Sequence, residues 1–163
     1  MLRPDGVAAD TVWPGDDDPD TAHFAASAEG AGVGGAASLL RQPAPEAPTE
    51  PAWRLRGMAT APKGRGVGVG RRVLAAVVAH VADRGGGLLW CNARLVAVEF
   101  YRGAGFTAYS EIWDEPGIGP HIRMRRRVAA RGSVERLGQV GDEVVGGLDP
   151  DREPDQPGVD RQR

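Results

Sequence analysis

The chain has 163 residues, enough for one domain with a sizeable core and hardly for two. Hydrophobic residues make up 41% and charged residues 26%, ordinary globular usage that excludes wholesale disorder, a coiled coil and collagen. Twenty Lys and Arg stand against 22 Asp and Glu, so the basic excess that drives binding to a phosphate backbone is missing and no nucleic-acid partner is expected.

Cys91 is the single cysteine and makes neither an internal disulfide nor a cysteine-rich zinc site, which points to a reducing compartment, the cytoplasm. Met1 to Asp10 lacks the apolar core of a secretory signal, and no run of eighteen apolar residues exists to span a membrane. His23, His80 and His121 form no pair with ligand spacing, so no metal site is expected.

Met1 to Asp20 carries turn compositions, Arg3-Pro4-Asp5-Gly6 and Pro14-Gly15-Asp16-Asp17-Asp18-Pro19-Asp20, and reads mostly as loop. Thr21 to Glu29 and Gly32 to Leu40 read as the strands of a hairpin around Glu29-Gly30. Arg41 to Pro51 is a proline-rich connection that cannot join a ladder. Trp53 to Ala59 alternates large apolar with charged residues, the pattern of a half-buried strand.

Gly64-Arg65-Gly66-Val67-Gly68-Val69-Gly70 then leads into Arg71 to Val81, where Val73, Leu74, Val77, Val78 and Val81 follow helical spacing. Leu88 to Cys91 is a short apolar run that reads as a strand buried on both faces. Ala93 to Ala104 reads as helix, Phe106 to Trp113 as strand and His121 to Met124 as a last strand. The domain is expected over residues 1–127. Residues 128–163, poor in large apolar side chains, read as a disordered tail with one frayed helical turn at 134–140.

A strand, closely spaced glycines and a helix together make an anion site. The helix start offers unpaired N–H groups and partial positive charge, and glycine lets a phosphate approach closely. The spacing fails the dinucleotide fingerprint, because the third glycine falls on Arg71 or Val69, and it fails the Walker A loop, because Lys63 precedes the glycines.

What fits is R-x-x-G-x-G, realised from Arg65 through Gly70. With Met58-Ala59-Thr60-Ala61-Pro62 before it and Phe100-Tyr101-Arg102-Gly103-Ala104-Gly105-Phe106 after it, the sequence over about residues 20 to 126 resembles the GNAT superfamily of N-acetyltransferases. The resemblance implies an α+β fold: a mixed, mostly antiparallel sheet flanked by helices, with two parallel central strands that part. The short stretch before residue 20 leaves the family's first strand truncated.

The resemblance also implies acetyl-CoA as co-substrate. Backbone groups of Arg65, Gly66, Val67, Gly68, Val69, Gly70 and Arg71 would hold its pyrophosphate, those of Met58, Ala59 and Thr60 its acetyl carbonyl and pantetheine arm, and Tyr101 would be the general acid. The acceptor would be a small-molecule or peptide amine, and homodimerisation is left open. His121, His23, Glu99, Glu111 and a water relay remain alternatives for the base. Asp16-Asp17-Asp18 reads as a solvated acidic loop or an attractor for a cationic amine, and Trp113 as a packing residue or an acceptor-cleft wall. The sequence departs from the family pattern at Arg94, where an asparagine is common, and at Gly64, where an aromatic residue is common. The readings set against an enzyme are a non-catalytic coenzyme A-binding module and an inactive relic.

Overall fold

In a computed structural model of the chain, residues 13–27 and 32–132 are described. The strands among them are β1 (Ala22–Ser27), β2 (Val33–Arg41), β3 (Ala52–Thr60), β4 (Gly87–Arg94), β5 (Thr107–Ala108), β6 (Trp113–Glu115) and β7 (Gly119–Val128). Helix α1 (Val69–Asp83) links β3 to β4, and the short α2 (Val98–Arg102) follows β4. They form one open mixed sheet in the order β1-β2-β3-β4-β7-β5, with β6 also paired to β7. Every pairing is antiparallel except β3 with β4. The expected truncation of a first strand, the turn at Glu29-Gly30 and the helical turn at 134–140 lie outside the described residues.

One face of the sheet is covered by α1. The helix offers Val69, Val73, Leu74, Val77 and Val81 to Leu39, Leu55, Leu89 and Met124, all essentially inaccessible to water. Each such side chain stabilises the fold by about 1.5–3 kcal/mol on burial. On the opposite face a smaller cluster of Ala44, Ala52, Leu88 and Trp90 lies under the connection between β2 and β3. That is why Leu88 to Cys91 is apolar at every position.

Three expectations change. The helix expected from Ala93 begins later, because β4 continues to Arg94 in register with β7, pairing Ala93 with Ile122 and Arg94 with His121. A single 3-10 turn, Leu95–Ala97, separates it from α2, and Val96 in that turn is 91% exposed. The strand expected from Phe106 to Trp113 is interrupted: Thr107 and Ala108 pair with β7 and so does Trp113, at the start of β6, while between them the Arg123 N–H donates to the Ser110 hydroxyl in place of a ladder carbonyl. The last strand reaches Val128, well past Met124 and one residue past the expected domain boundary. Its arginines alternate with Ile122, Met124 and Val128, except that Arg126 shares the apolar face, where its guanidinium donates to the Ala104 carbonyl and lies over the Phe106 ring.

The parallel pair is short. β3 and β4 pair only from Ala52 with Leu88 to Leu55 with Cys91. Beyond that β3 stays with β2 while β4 stays with β7, and the sheet splits. A bulge marks the divergence: Ser38 faces Arg56 but Ala36 faces Ala59, and Gly57 takes up the extra residue at φ 61°.

Candidate active site

From the end of β3 the chain makes a 3-10 turn at Pro62–Gly64 and reaches α1 through Arg65, Gly66, Val67 and Gly68. Gly66 and Gly68 have φ of 76° and 82°, the left-handed region, and a Cβ at either would meet nothing within 4 Å. The loop therefore turns its backbone toward open space. Gly64 is glycine for the opposite reason, because a Cβ there would lie 2.7 Å from the Gly34 carbonyl oxygen. At Gly70 a Cβ would stand 3.2 Å from Thr60 Oγ1 and 3.4 Å from the Phe100 ring, so the first turn of α1 sits against both the end of β3 and α2.

The Arg72 amide donates to the Gly68 carbonyl, the first bond of the helix, which leaves the amides of Val69, Gly70 and Arg71 without an intrahelical acceptor. No acidic side chain lies in that first turn. Arg65, Arg71 and Arg72 add positive charge, although the Arg72 guanidinium is anchored by donating to the Ser27 carbonyl at 2.8 Å. The predicted residues thus come together as an electropositive cradle at the mouth of the split. Met58, Ala59 and Thr60 line it half-buried, and Val69 packs inward.

Tyr101 projects from α2 into the core at 5% exposure, with its ring edge-on to Phe100 and Phe106. Its hydroxyl interacts with the thiol of Cys91, the last residue of β4 paired to β3. Burial raises both groups, the thiol to about 12, with the phenol pushed further up by Cys91, so each keeps its proton at neutral pH. Cys91 is a core thiol, as its apolar neighbours suggested. A cavity of about 500 Å³ runs between α1 and α2, lined by Leu74, Val78, Phe100 and Ala104 with Arg71 and Arg126.

The base candidates are scattered. His121 is buried in β7, its Nδ1–H donating to the Gly119 carbonyl at 2.7 Å and its ring stacked on Trp113. Glu99 is exposed and paired with Arg102, and Glu111 is exposed. His80 lies on α1 against Phe24 and Trp53; burial first and then Arg84 lower its pKa.

His23 has a different setting. Strand alternation puts it with Ser38 and Arg56 on the face opposite α1, where they line a hollow of about 310 Å³ with Trp13, Asp16 and Gly57. Asp16 is no free attractor for a cation. Burial alone would raise its carboxyl, but the Trp13 amide and the Arg56 guanidinium together hold it below the usual aspartate value. The sequence reading missed Ser38 and Arg56, which alternation within their strands would have placed on that face. No cluster of three metal-ligating side chains exists among the described residues.

The family model for the acetyltransferase (GNAT) family matches residues 3–106. The chain belongs to that family. The GNAT match ends at Phe106, the last residue of the segment around Tyr101. An uncharacterised N-acetyltransferase of Bacillus subtilis, YitI, is 36% identical over 88 residues, which span 54% of this chain and 59% of that relative. Among solved structures, a GNAT-family chain from Desulfovibrio desulfuricans superposes with a TM-score of 0.54 at 28% identity, covering 68% of this chain and 70% of the other. An aminoglycoside 6'-N-acetyltransferase complexed with coenzyme A shares the fold at 17% identity, with a TM-score of 0.55 over 70% of this chain and 76% of its own. No helix among the described residues is long and apolar enough to cross a membrane.

Proposed function

We propose that the chain is an acetyl-CoA-dependent N-acetyltransferase that moves the acetyl group directly to an amine. The observation that carries this reading is the position of the glycine cradle: unpaired amides open onto free space where β3 and β4 separate. A diphosphate fits such a place, because the amides of residues 66–71 and the guanidinium of Arg65 answer its charge without side chains in the way. The coenzyme A seen with the aminoglycoside 6'-N-acetyltransferase supports the same reading.

When bound, the thioester supplies an activated acetyl group. The protein's part is positioning and proton handling. β3 beyond Leu55 has an edge unpaired toward β4, and its backbone at Met58 to Thr60 orients the acetyl arm along the split. Tyr101 holds its proton on the hydroxyl at the apex, ready to donate it to the departing sulfur. The core around Leu55, Cys91 and Phe106 excludes water from that point. Residues 1–127 would form the catalytic domain, in a reducing compartment that suits the unpaired Cys91.

Calorimetric titration with acetyl-CoA tests this. Gly68→Asp puts a negative side chain into the cradle at a left-handed position, and is expected to lower affinity by about 100-fold or more with the fold retained by circular dichroism. Tyr101→Phe is expected to bind acetyl-CoA as the wild type does while losing about 100-fold in turnover. A folded wild type that does not bind acetyl-CoA overturns the reading, and binding without turnover of any amine favours the non-catalytic module.

A further inference from the structure

The hollow on the face opposite α1 contains a hydrogen-bond chain. His23 Nε2 lies 3.1 Å from the Asp16 carbonyl oxygen, and a carbonyl only accepts, so Nε2 carries the proton. His23 Nδ1 therefore presents its lone pair to Ser38 Oγ at 3.0 Å, and the Ser38 hydroxyl donates to it. A serine hydroxyl pointed at an unprotonated imidazole nitrogen is a proton relay in form.

The surroundings fix this pair in place. The loop that carries the Asp16 carbonyl is tied to β3, since Arg56 donates to Asp16 Oδ1 at 2.6 Å and to the Pro14 carbonyl at 2.7 Å. The Trp13 amide donates to Asp16 Oδ2 at 2.8 Å, so both carboxylate oxygens are engaged. The Asp16 carboxylate and the Arg56 guanidinium are the charged groups among the lining residues, and they neutralise each other. His23 itself is exposed on β1, where it can pass a proton to solvent. Gly57 joins the hollow to the chemistry, because it lines the wall and lies two residues beyond Leu55, the last residue of β3 paired to β4.

We propose that His23, acting through Ser38, is the proton acceptor for the acceptor amine, and that this hollow takes a compact monoamine. The inference rests on the acetyl-transfer reading. The hollow's neutral charge balance suits an amine with no second cation, and the Trp13 side chain offers it an apolar wall. The ammonium proton passes to Ser38 Oγ while the Ser38 hydroxyl proton passes to His23 Nδ1, which frees the nitrogen lone pair, and His23 returns its proton to water. As the lone pair then forms the bond to the acetyl carbon, the bond from that carbon to sulfur breaks and its electron pair stays on sulfur. Tyr101 supplies the proton that sulfur takes up and regains one from water, to which the amide nitrogen sheds its second proton.

The test is acetylation of propylamine, benzylamine and 2-phenylethylamine, followed from pH 6 to 10, for the wild type, His23→Gln, Ser38→Ala and the double variant. At least one amine is expected to be acetylated. Each single variant is expected to lose about 100-fold in kcat/KM for the amine at pH 7, and the double variant little more, as two members of one relay should. The loss should shrink as pH rises and the amine becomes neutral without help. Calorimetric affinity for acetyl-CoA and melting temperature should stay at wild-type values. If acetyl-CoA binds but none of the three amines reacts, or if the variants keep wild-type kcat/KM, or if their loss is the same at every pH, the relay is overturned. Failure of the wild type to bind acetyl-CoA sinks the underlying reading instead.

Discussion

The two faces of this sheet are covered by different means. Helix α1 closes one face with a continuous apolar core in which Leu39, Leu89 and Met124 are fully enclosed. The other face is closed by loops and guanidinium groups: Arg54 lies over Trp90 and donates to Gln42, Arg56 holds Asp16, Arg123 holds Glu46, and Arg127 holds Glu50. Burial, together with the nearby Arg56 and Arg123, lowers the pKa of Arg54, a sign of how closely the cations are gathered there. The helix-covered face holds the glycine cradle rigidly, because the first turn of α1 and the last residues of β3 share that core. The arginine-covered face is assembled from separate polar contacts, each of which can be exchanged without opening that core.

The contrast is broken most directly at Leu89, which points into the core below α1. Leu89→Ala is expected to cost about 3 kcal/mol, from lost burial plus the cavity left behind. Urea unfolding should show a lower midpoint at an unchanged slope. A cost below about 1 kcal/mol would mean that the helix-covered face is no more tightly packed than the other.

The same contrast explains what could be read from the sequence. The glycine loop and α1 were legible because conformational need and helical periodicity act locally: Gly66 and Gly68 adopt left-handed backbone, and Val73, Val77 and Val81 recur at helical spacing. The hairpin and β3 were legible from alternation. β4 was cut short because Leu88 and Trp90 face the small cluster under Ala44, so its alternation appeared only at Asn92 and Arg94, where it looked like a helix start. The end of β7 was hidden by Arg125-Arg126-Arg127, which reads as a solvated charge run until the pairing with β4 and the contacts of Arg126 are known. Ser38 was invisible as a partner of His23, because their meeting depends on the register of two strands fifteen residues apart.

A smaller effect is expected at Asp16, where the polar face is most enclosed. Asp16→Asn keeps the shape of the side chain but leaves Arg56 without its counter-charge, and should cost about 1–2 kcal/mol at pH 7. The Asp16 carboxyl titrates lower in the folded chain than its unfolded value of about 3.9. The contribution is therefore fully present above that unfolded value and is lost as pH falls through the folded one. Melting curves of wild type and variant should differ at pH 7 and draw together only as pH falls through the lowered value of the Asp16 carboxyl. A gap that persists at low pH would assign the effect to the hydrogen bonds with Trp13 and Arg56 rather than to charge.

The smallest effect is expected at Arg127, where the face opens to water. Its guanidinium reaches Glu50 at 2.6 Å, yet the side chain is 73% exposed. Solvent and salt screen such a pair, and holding two long side chains in one geometry costs entropy that offsets most of the attraction. Arg127→Ala should change stability by less than about 0.5 kcal/mol, and any change should vanish in 1 M salt. A loss nearer 2 kcal/mol would show that Arg127 is held as firmly as Arg56, and would make the whole arginine face a structural layer rather than one open to change around a fixed cradle.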